Sequence, residues 1–398
     1  MLVRHLGTIL KKSAEKYPVV TVTGPRQSGK TTLVRRVFED YAYASLESPD
    51  VREFAHEDPR GFLNQFADGV VLDEVQRSPD LLSYIQGIVD AKNEPGQFIL
   101  TGSQNFMLLE RVSQSLAGRT SVFHLLPFSR SELQARSPMS VEDIGSRIPK
   151  RQGPAENLFS VLFTGFYPRI YDKHLDPQDW LRNYYQTYVE RDVRSIASVG
   201  HLEAFGRFVR LCAGRCGQIL NLSSLGADCG VSHATAARWL SVLEASFIVY
   251  LLRPHHRNFS KRLVKSPKLY FLDTGLLCYL LRIRSAEELL SHSSRGAVFE
   301  TFVLAELLKA YLNRGTEPQV YFWRDSTGHE VDLIIDRGSE LVPVEVKSGE
   351  TIGSDFFKGL EYWRSLPGQQ DTPAAMVFGG ETSARRRGVA IYSWRHWL

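Results

Sequence analysis

Cysteine is scarce in this sequence, and the few present follow no pattern. Cys212, Cys216, Cys229 and Cys278 are too few for a disulfide scaffold and match no common zinc spacing. They read as reduced core thiols of a cytoplasmic protein. Long apolar runs are missing too. Nothing approaches the roughly 18 residues that suggest a membrane span. The densest run, "YFLDTGLLCYLL", is short and carries Asp273. The opening "MLVRHLGTILKKSAEK" lacks the apolar segment and small-residue cleavage site of a secretory signal. No membrane partner is expected. Charge of one sign is not in large excess. A net charge of +4 and a pI of about 8.8 permit a nucleic-acid partner without demanding one. Internal repeats and low-complexity segments are absent.

What is present is enough for more than one core. The 398 residues, 43% of them hydrophobic, point to two or three domains. Residues 1–135 alternate in type. "VVTVT" (19–23), "YAYASLE", "GVVLDEV" (69–75), "QFILTGS" (97–103) and "TSVFHLL" (120–126) read as strands. Helical stretches lie between them: Gly29 to about Glu39, "LLSYIQGIVDA" and "FMLLERVSQSL". That alternation predicts an α/β domain with a mainly parallel sheet covered by helices.

Residues 136–199 follow as a polar linker (136–156) and a helical lid region. In "DWLRNYYQTYVERDVRSIA" (179–197), Trp180, Tyr184, Tyr188 and Val189 recur near helical period, as expected of a helix packed on the first domain. Residues 200–258 read as a winged helix-turn-helix. Ser223 suits the cap of one helix, Gly230 the turn and Ser232 the cap of a second. Ala236, Leu240 and Leu243 share one face of that second helix, and "FIVYLLRP" reads as a strand or wing. Ser232, His233, Thr235 and Arg238 are the side chains it offers a groove. The basic "RPHHRNFSKRLVKSPK" (253–268) suits nucleic-acid backbone, or equally a solvated loop. Residues 259–398 read as a mixed α/β domain.

"GPRQSGKT" (24–31) sits between a strand and a helix, the context its spacing requires. Gly24 and Gly29 allow a tight loop, through Pro25, Arg26, Gln27 and Ser28, whose amides converge on phosphates. Lys30 neutralises the β/γ-phosphates, Thr31 reaches Mg²⁺, and Thr32 continues the helix. Asp73 ends an apolar strand, where it can hold Mg²⁺ through water. Glu74 beside it can polarise the attacking water. Ser103 ends the fourth strand in the place of a polar sensor of the γ-phosphate. Arg119 precedes the fifth strand. There it either reaches a neighbouring subunit's γ-phosphate or forms a surface salt bridge; Arg111 is a weaker choice. The expected cofactors are ATP and Mg²⁺. The expected assembly is a homo-oligomer, at least transient.

A second constellation lies in "EVDLIIDRGSELVPVEVKSGE" (330–350). Asp332 precedes Glu345 by a hairpin-like segment. Strand alternation puts Glu345 and Lys347 on one face. Two carboxylates can hold Mg²⁺, and Lys347 can position water for attack on phosphate. Glu300, on the preceding helix, offers a third acid. Asp336 and Glu330 read as bystanders. An ordinary solvated sheet face would also alternate charges, though "VPVEVKS" is too apolar for one.

These residues resemble the AAA-type P-loop ATPases. More narrowly, the chain resembles a prokaryotic family of such ATPases joined to a C-terminal domain of unknown function. The resemblance runs over nearly the whole chain, through "GPRQSGKTTL", "LDEVQ", "ILTGSQ", "SLAGRT", "TGFYPRI", "YVERDV", "FLDTGL" and "YFWRDSTGHEVDLII…VPVEVKSG". The C-terminal acids and lysine resemble the PD-(D/E)XK nuclease-like arrangement, with Glu300, Asp332, Glu345 and Lys347 at matching places. The resemblance implies an ATPase of this architecture, and the two sites read together point to an Mg²⁺-dependent ATPase acting as a switch on a nucleic-acid-directed domain. The alternatives are a module that binds DNA or protein without cutting, and an assembly ATPase with protein partners only.

Overall fold

The computed structural model describes every residue except 1, 67, 93, 104–114, 150–155, 194–201 and 256–263, and only the backbone of 190–193 and 202. The chain forms two compact units. The first comprises Met1–Phe128 with Ala245–Phe247 and Tyr311–Thr316; the second comprises the rest.

In the first unit, β1 (Val19–Thr23), β2 (Ala42–Ser45), β3 (Val70–Asp73), β4 (Phe98–Gly102) and β5 (Thr120–His124) make one sheet. All pairings are parallel and the order is β2-β3-β4-β1-β5. Every residue of β1, β3 and β4 is buried. A parallel sheet covered on both faces requires that, and the near-continuous apolar runs in the sequence follow from it. Val20, Val22, Val71 and Ile99 pack with Leu6 and Leu10 of α1 (Leu6–Ala14) and Leu33 of α2 (Lys30–Val37). Val19, Leu72 and Leu100 face the other way, onto Leu81 and Ile85 of α3 (Leu81–Lys92). The order inserts β4 between β1 and β3, so three strand ends converge where the loop after β1 turns into α2. The expected helix "FMLLERVSQSL" and Arg111 lie largely or wholly outside the described residues.

The second unit begins at Ser129. The stretch expected to be a linker is packed where it is described. Val141 and Ile144 are buried, and Arg337 donates to both of their carbonyls at 2.8 and 2.7 Å. α4 (Pro177–Tyr184) continues as π-helical turns through Val193. Its aromatics are buried, with partners inside this unit. Tyr184 stacks on Trp180, both rings lie about Tyr167, and the Tyr167 hydroxyl donates to Tyr184 at 3.0 Å.

Three helices come next: α5 (Leu202–Gly214), α6 (Leu222–Cys229) and α7 (His233–Ala245). Asn221, and not Ser223, caps α6, accepting from Ser224 N at 3.0 Å. Gly230 closes α6 with φ +73°, and Ser232 accepts from Thr235 N at 3.2 Å to start α7. Ala236, Leu240 and Leu243 are buried, joined by Trp239, which packs edge-on against Phe205 and Phe208. An antiparallel pair follows, β6 (Val249–Leu252) with β7 (Lys268–Phe271). Ile219 adds a single bridge to Lys268.

The long helix α8 (Arg295–Leu312) leads to a six-stranded mixed sheet. Its strands are β8 (Val320–Arg324), β9 (Glu330–Asp336), β10 (Leu341–Lys347), β11 (Ala374–Phe378), β12 (Ala384–Arg386) and β13 (Val389–Ser393), in the order β12-β13-β11-β10-β9-β8. The short helix α9 (Lys358–Arg364) covers part of it through Leu360 and Trp363. β12 was not expected; its three exposed residues "ARR" carry no apolar signal. Among the described residues no helix is long and apolar enough to cross a membrane.

Candidate functional site

The loop after β1 is shaped around a space for an anion. Gly24 (φ +148°) and Gly29 (φ +92°) hold backbone angles open to glycine. A Cβ on Gly24 would stand 2.2 Å from the carbonyl oxygen of Leu125. Gln27 also has positive φ, +66°, at the loop's tip. Arg26 forms a surface pair with Glu47, 3.8 Å away, and Thr32 is exposed. Ser28 is fully buried, yet its hydroxyl has no partner among the described residues. Lys30 is buried, and its ammonium donates to the loop's own carbonyls, Gly24 O at 3.0 Å and Pro25 O at 2.9 Å. Burial pushes its pKa down to about 8, against the pull of Glu74 and Asp73. An orphaned hydroxyl, a glycine cradle and an ammonium held only by carbonyls fit a nucleotide's phosphates.

Asp73, at the end of β3, is the hub beside that loop. Thr31 donates to both of its oxygens at 3.0 Å, and Tyr43 donates at 2.9 Å. Thr101, from the inserted strand β4, donates to it as well. A threonine hydroxyl against a carboxylate fits an octahedral Mg²⁺ that keeps most of its waters. Glu74 sits in left-handed backbone, φ +57°, uncommon for a residue with a side chain. That turn aims its carboxylate at Ser103, whose hydroxyl donates to it at 3.0 Å, while Gln76 donates to the same oxygen. Arg119 lies apart. Both its Nε and Nη2 donate to the exposed Asp90, Nη2 at 2.9 Å.

The second constellation gathers on one face of the mixed sheet. Glu345 lies one step past the Val344–Leu333 pair, beside Asp332. Lys347 Nζ is 2.5 Å from Glu345 and 3.5 Å from Asp332. Val346 N donates to Asp332 at 2.8 Å. Glu345 Oε1 faces Gly359 of α9, where a Cβ would meet it at 2.1 Å and the Glu330 carbonyl at 2.9 Å. Burial raises the pKa of Glu345, and Asp332 raises it further. Glu345 therefore keeps a proton more readily than a free carboxyl does. A divalent cation would compete for that same place, so the pair fits one. Glu300, on α8, is likewise raised, first by burial. Its Oε1 accepts from Tyr270 and lies 3.4 Å from Lys268 Nζ.

The uncharacterized protein Rv2008c of Mycobacterium tuberculosis is 32% identical to this chain over 351 residues, 87% of this chain and 74% of the relative. The uncharacterized protein Mb2031c of Mycobacterium bovis matches to the same extent. This chain belongs to their family. Residues 16–134 match the model described as "AAA domain". Residues 155–287 and 295–397 match two domains of unknown function, DUF8612 and DUF4143. The first unit is accordingly an AAA-type, nucleotide-binding P-loop domain, and its parallel five-stranded sheet agrees. A solved structure, the Walker-type ATPase PABY2304 of Pyrococcus abyssi, superposes with a TM-score of 0.39 at 15% identity, over 70% of this chain and 95% of that one. A likeness that loose carries no functional inference.

Several site residues escaped the sequence reading. Thr101 and Tyr43 bind Asp73, and Gln76 binds Glu74. Gln76 stands in "LDEVQ", two residues past the acid it binds. Lys268 and Tyr270 alternate along "KLYF", so both reach Glu300 from one face of β7. Lys268 closes the basic run read as a loop or backbone contact, but it is 3% exposed and sits among acids. Residues 256–263 of that run lie outside the described residues. Glu330 is no bystander either, since it pairs with Lys268 at 2.5 Å and with Arg324 at 3.0 Å. Asp336 does stand apart, against His255 and the Gly338 amide.

Proposed function

We propose that this protein is a nucleotide-driven switch. Its AAA-type domain binds and hydrolyses ATP with Mg²⁺, and ATP governs a nucleic-acid-directed, nuclease-like C-terminal domain. The observation that carries the second half is the convergence of Asp332, Glu345 and Lys347 on one partly buried sheet face. The finer division is a lid region at 136–199, a winged helix-turn-helix at 200–258 and the nuclease-like domain at 259–398. The helix pair joined at Gly230 supports the middle assignment, whereas the partner of β6 in its antiparallel pair, β7, lies beyond the bound at 258.

In the nucleotide site, Lys30 would move from the loop carbonyls to the β/γ-phosphates, which offer it stronger acceptors. Thr31 and Asp73 would hold Mg²⁺, whose bound charge offsets that of the phosphates. Glu74 would take a proton from the attacking water, with Ser103 and Gln76 fixing its carboxylate. Arg119 would serve a neighbouring subunit's nucleotide only after leaving Asp90. In the C-terminal site, Asp332 and Glu345 would hold a divalent cation. Lys347 would orient water toward a phosphodiester.

The deciding experiment incubates the purified chain with Mg²⁺ or Mn²⁺ and single- or double-stranded DNA or RNA, with and without ATP. Cleavage that depends on metal and responds to ATP supports the switch. A second reading, a module that binds nucleic acid without cutting, has one observation in its favour. Among the described residues no group of three or more His, Cys, Asp or Glu side chains forms a ready metal site. DNA-stimulated ATP turnover that leaves the DNA intact would select it. Binding that falls steeply with salt would separate both from a purely protein-directed ATPase.

A further inference from the structure

We propose that a cavity within the second unit is a binding site for the phosphate of a nucleotide, separate from the phosphate loop. Neither that loop nor the C-terminal carboxylates line it, so the proposal stands apart from the reading above.

The cavity holds about 370 Å³. Gln178 and Tyr185 line it from α4 and the turn that continues it, about two helical turns apart on one face. Arg210 reaches it from α5, and Tyr279, Arg282 and Arg284 from the end of the helix Thr274–Leu280. No Asp or Glu lines it. Among the described residues none of the three guanidinium groups has an ion-pair or hydrogen-bond partner. Glu288, close by in sequence, accepts from the backbone amide of Arg284 at 2.7 Å and not from its guanidinium. Gln178 Nε2 is buried and also lacks a partner among the described residues. Like charges around one hollow repel, and a buried donor left unmet costs stability. An anion that accepts from these groups offsets both.

The backbone at Arg282 points the same way. Ile283 N donates to Cys278 O and Arg282 N to Tyr279 O, both at 3.0 Å, the pattern that ends a helix on a left-handed residue. That residue is usually glycine, but here it is Arg282, at φ +61°. An arginine there bears a conformational cost that glycine avoids, and it sets a guanidinium at the cavity. Guanidinium forks match phosphate oxygens, and three positive charges suit a multiply charged phosphate better than one carboxylate. The Tyr185 and Tyr279 rings, with centroids 5.8 Å apart, form an aromatic wall beside those charges. Tyrosine and arginine planes are the surfaces on which nucleobases stack. The volume falls at the lower end for small-ligand pockets, which suits one nucleotide and excludes a duplex. A free nucleotide and an unpaired strand present that same chemistry.

The test is equilibrium dialysis of the full-length protein against labelled ADP and against a short 5′-phosphorylated oligothymidylate. At least one probe should show a bound component that Arg282→Gly weakens by about tenfold or more, the scale of one charge-assisted contact. Lys30→Ala should weaken a different component, the one that Arg282→Gly retains. The probe held more tightly at the Arg282-dependent component names the source, free nucleotide or single strand. Absence of any such component with both probes overturns the proposal. So does an equal loss in Arg387→Gly, which removes the same charge from an exposed residue at φ +53° outside the cavity, because attraction would then be diffuse. Glycine suits the backbone at Arg282, so the thermal midpoint of Arg282→Gly should not fall. Should that variant fail to fold, Arg284→Gln, at an exposed side chain, decides by the same criterion.

Discussion

In the first unit, a buried lysine near two acids has its pKa pushed down to about 8; in the second, two lysines near four acids have theirs pushed above the usual value. Burial opposes the charge in all three. The difference lies in what the ammonium touches. Among the described residues Lys30 donates to carbonyl oxygens alone, while the carboxylates of Asp73 and Glu74 are occupied by hydroxyls and an amide. Lys268 and Lys347 lie directly on carboxylates, whose attraction outweighs desolvation. The first site is short of anions and ready for a polyphosphate. The second has matched much of its charge internally, through its own lysines.

The sharpest way to break that contrast is to unbalance the second site. Asp332→Ala or Glu345→Ala should abolish metal-dependent cleavage, because one remaining acid holds Mg²⁺ poorly. ATP turnover should stay near wild type in the same preparations. Lys347→Ala should lower cleavage without abolishing metal binding, since ammonium is no ligand. If cleavage survives Asp332→Ala, the reacting centre lies elsewhere.

The next effect belongs to the first site. Glu74→Gln should keep nucleotide affinity and slow hydrolysis by at least about 10²-fold, the usual scale for losing a general base. Normal turnover in that variant would hand the water to another residue. Lys30→Ala should act on binding instead. A charge-assisted contact is worth about 1.5–3 kcal/mol, so affinity should fall by about tenfold to a hundredfold. Equilibrium binding of a fluorescent nucleotide reads both variants.

The two sites also differed in how far the sequence revealed them. The phosphate loop is local: eight consecutive residues set its glycines, its lysine and the start of α2, so spacing alone located it. Asp73 and Glu74 were legible because a wholly apolar strand ends at them. Thr101 and Tyr43 were not, because their approach to Asp73 depends on the strand order, which no local pattern encodes. The second site has both kinds of residue. Asp332, Glu345 and Lys347 share one antiparallel pair and a period of two. Lys268 and Tyr270 arrive from a separate two-stranded sheet, so only tertiary structure puts them on Glu300. The same limit hid the aromatic packing of Trp180 and Tyr184. Helical period showed that a face was buried, but not that Tyr167 covered it.

The smallest predicted effect is the most direct reading of the contrast. Without nucleotide, Lys30 loses its proton near pH 8. With phosphates bound it should stay charged well above that, because the phosphates supply the negative contacts it lacks. Binding should therefore take up a proton at alkaline pH. Between pH 7 and pH 9 nucleotide affinity should fall by about tenfold, since a group of pKa about 8 is about one-tenth protonated at pH 9. The phosphate's own last proton, with a pKa of about 6, is gone before this window and adds no slope. Stability without nucleotide should move the opposite way. The folded chain binds fewer protons than the unfolded one between pH about 8 and about 10.5, so this group makes unfolding harder as pH rises there. Calorimetric titration in buffers of different ionisation heat measures the proton uptake. Lys30→Arg supplies the control, because arginine stays charged throughout; whatever its affinity, the slope should vanish. A flat profile in the wild-type protein would mean that Lys30 is fully charged before nucleotide arrives, and the difference between its surroundings and those of Lys347 would lose its functional consequence.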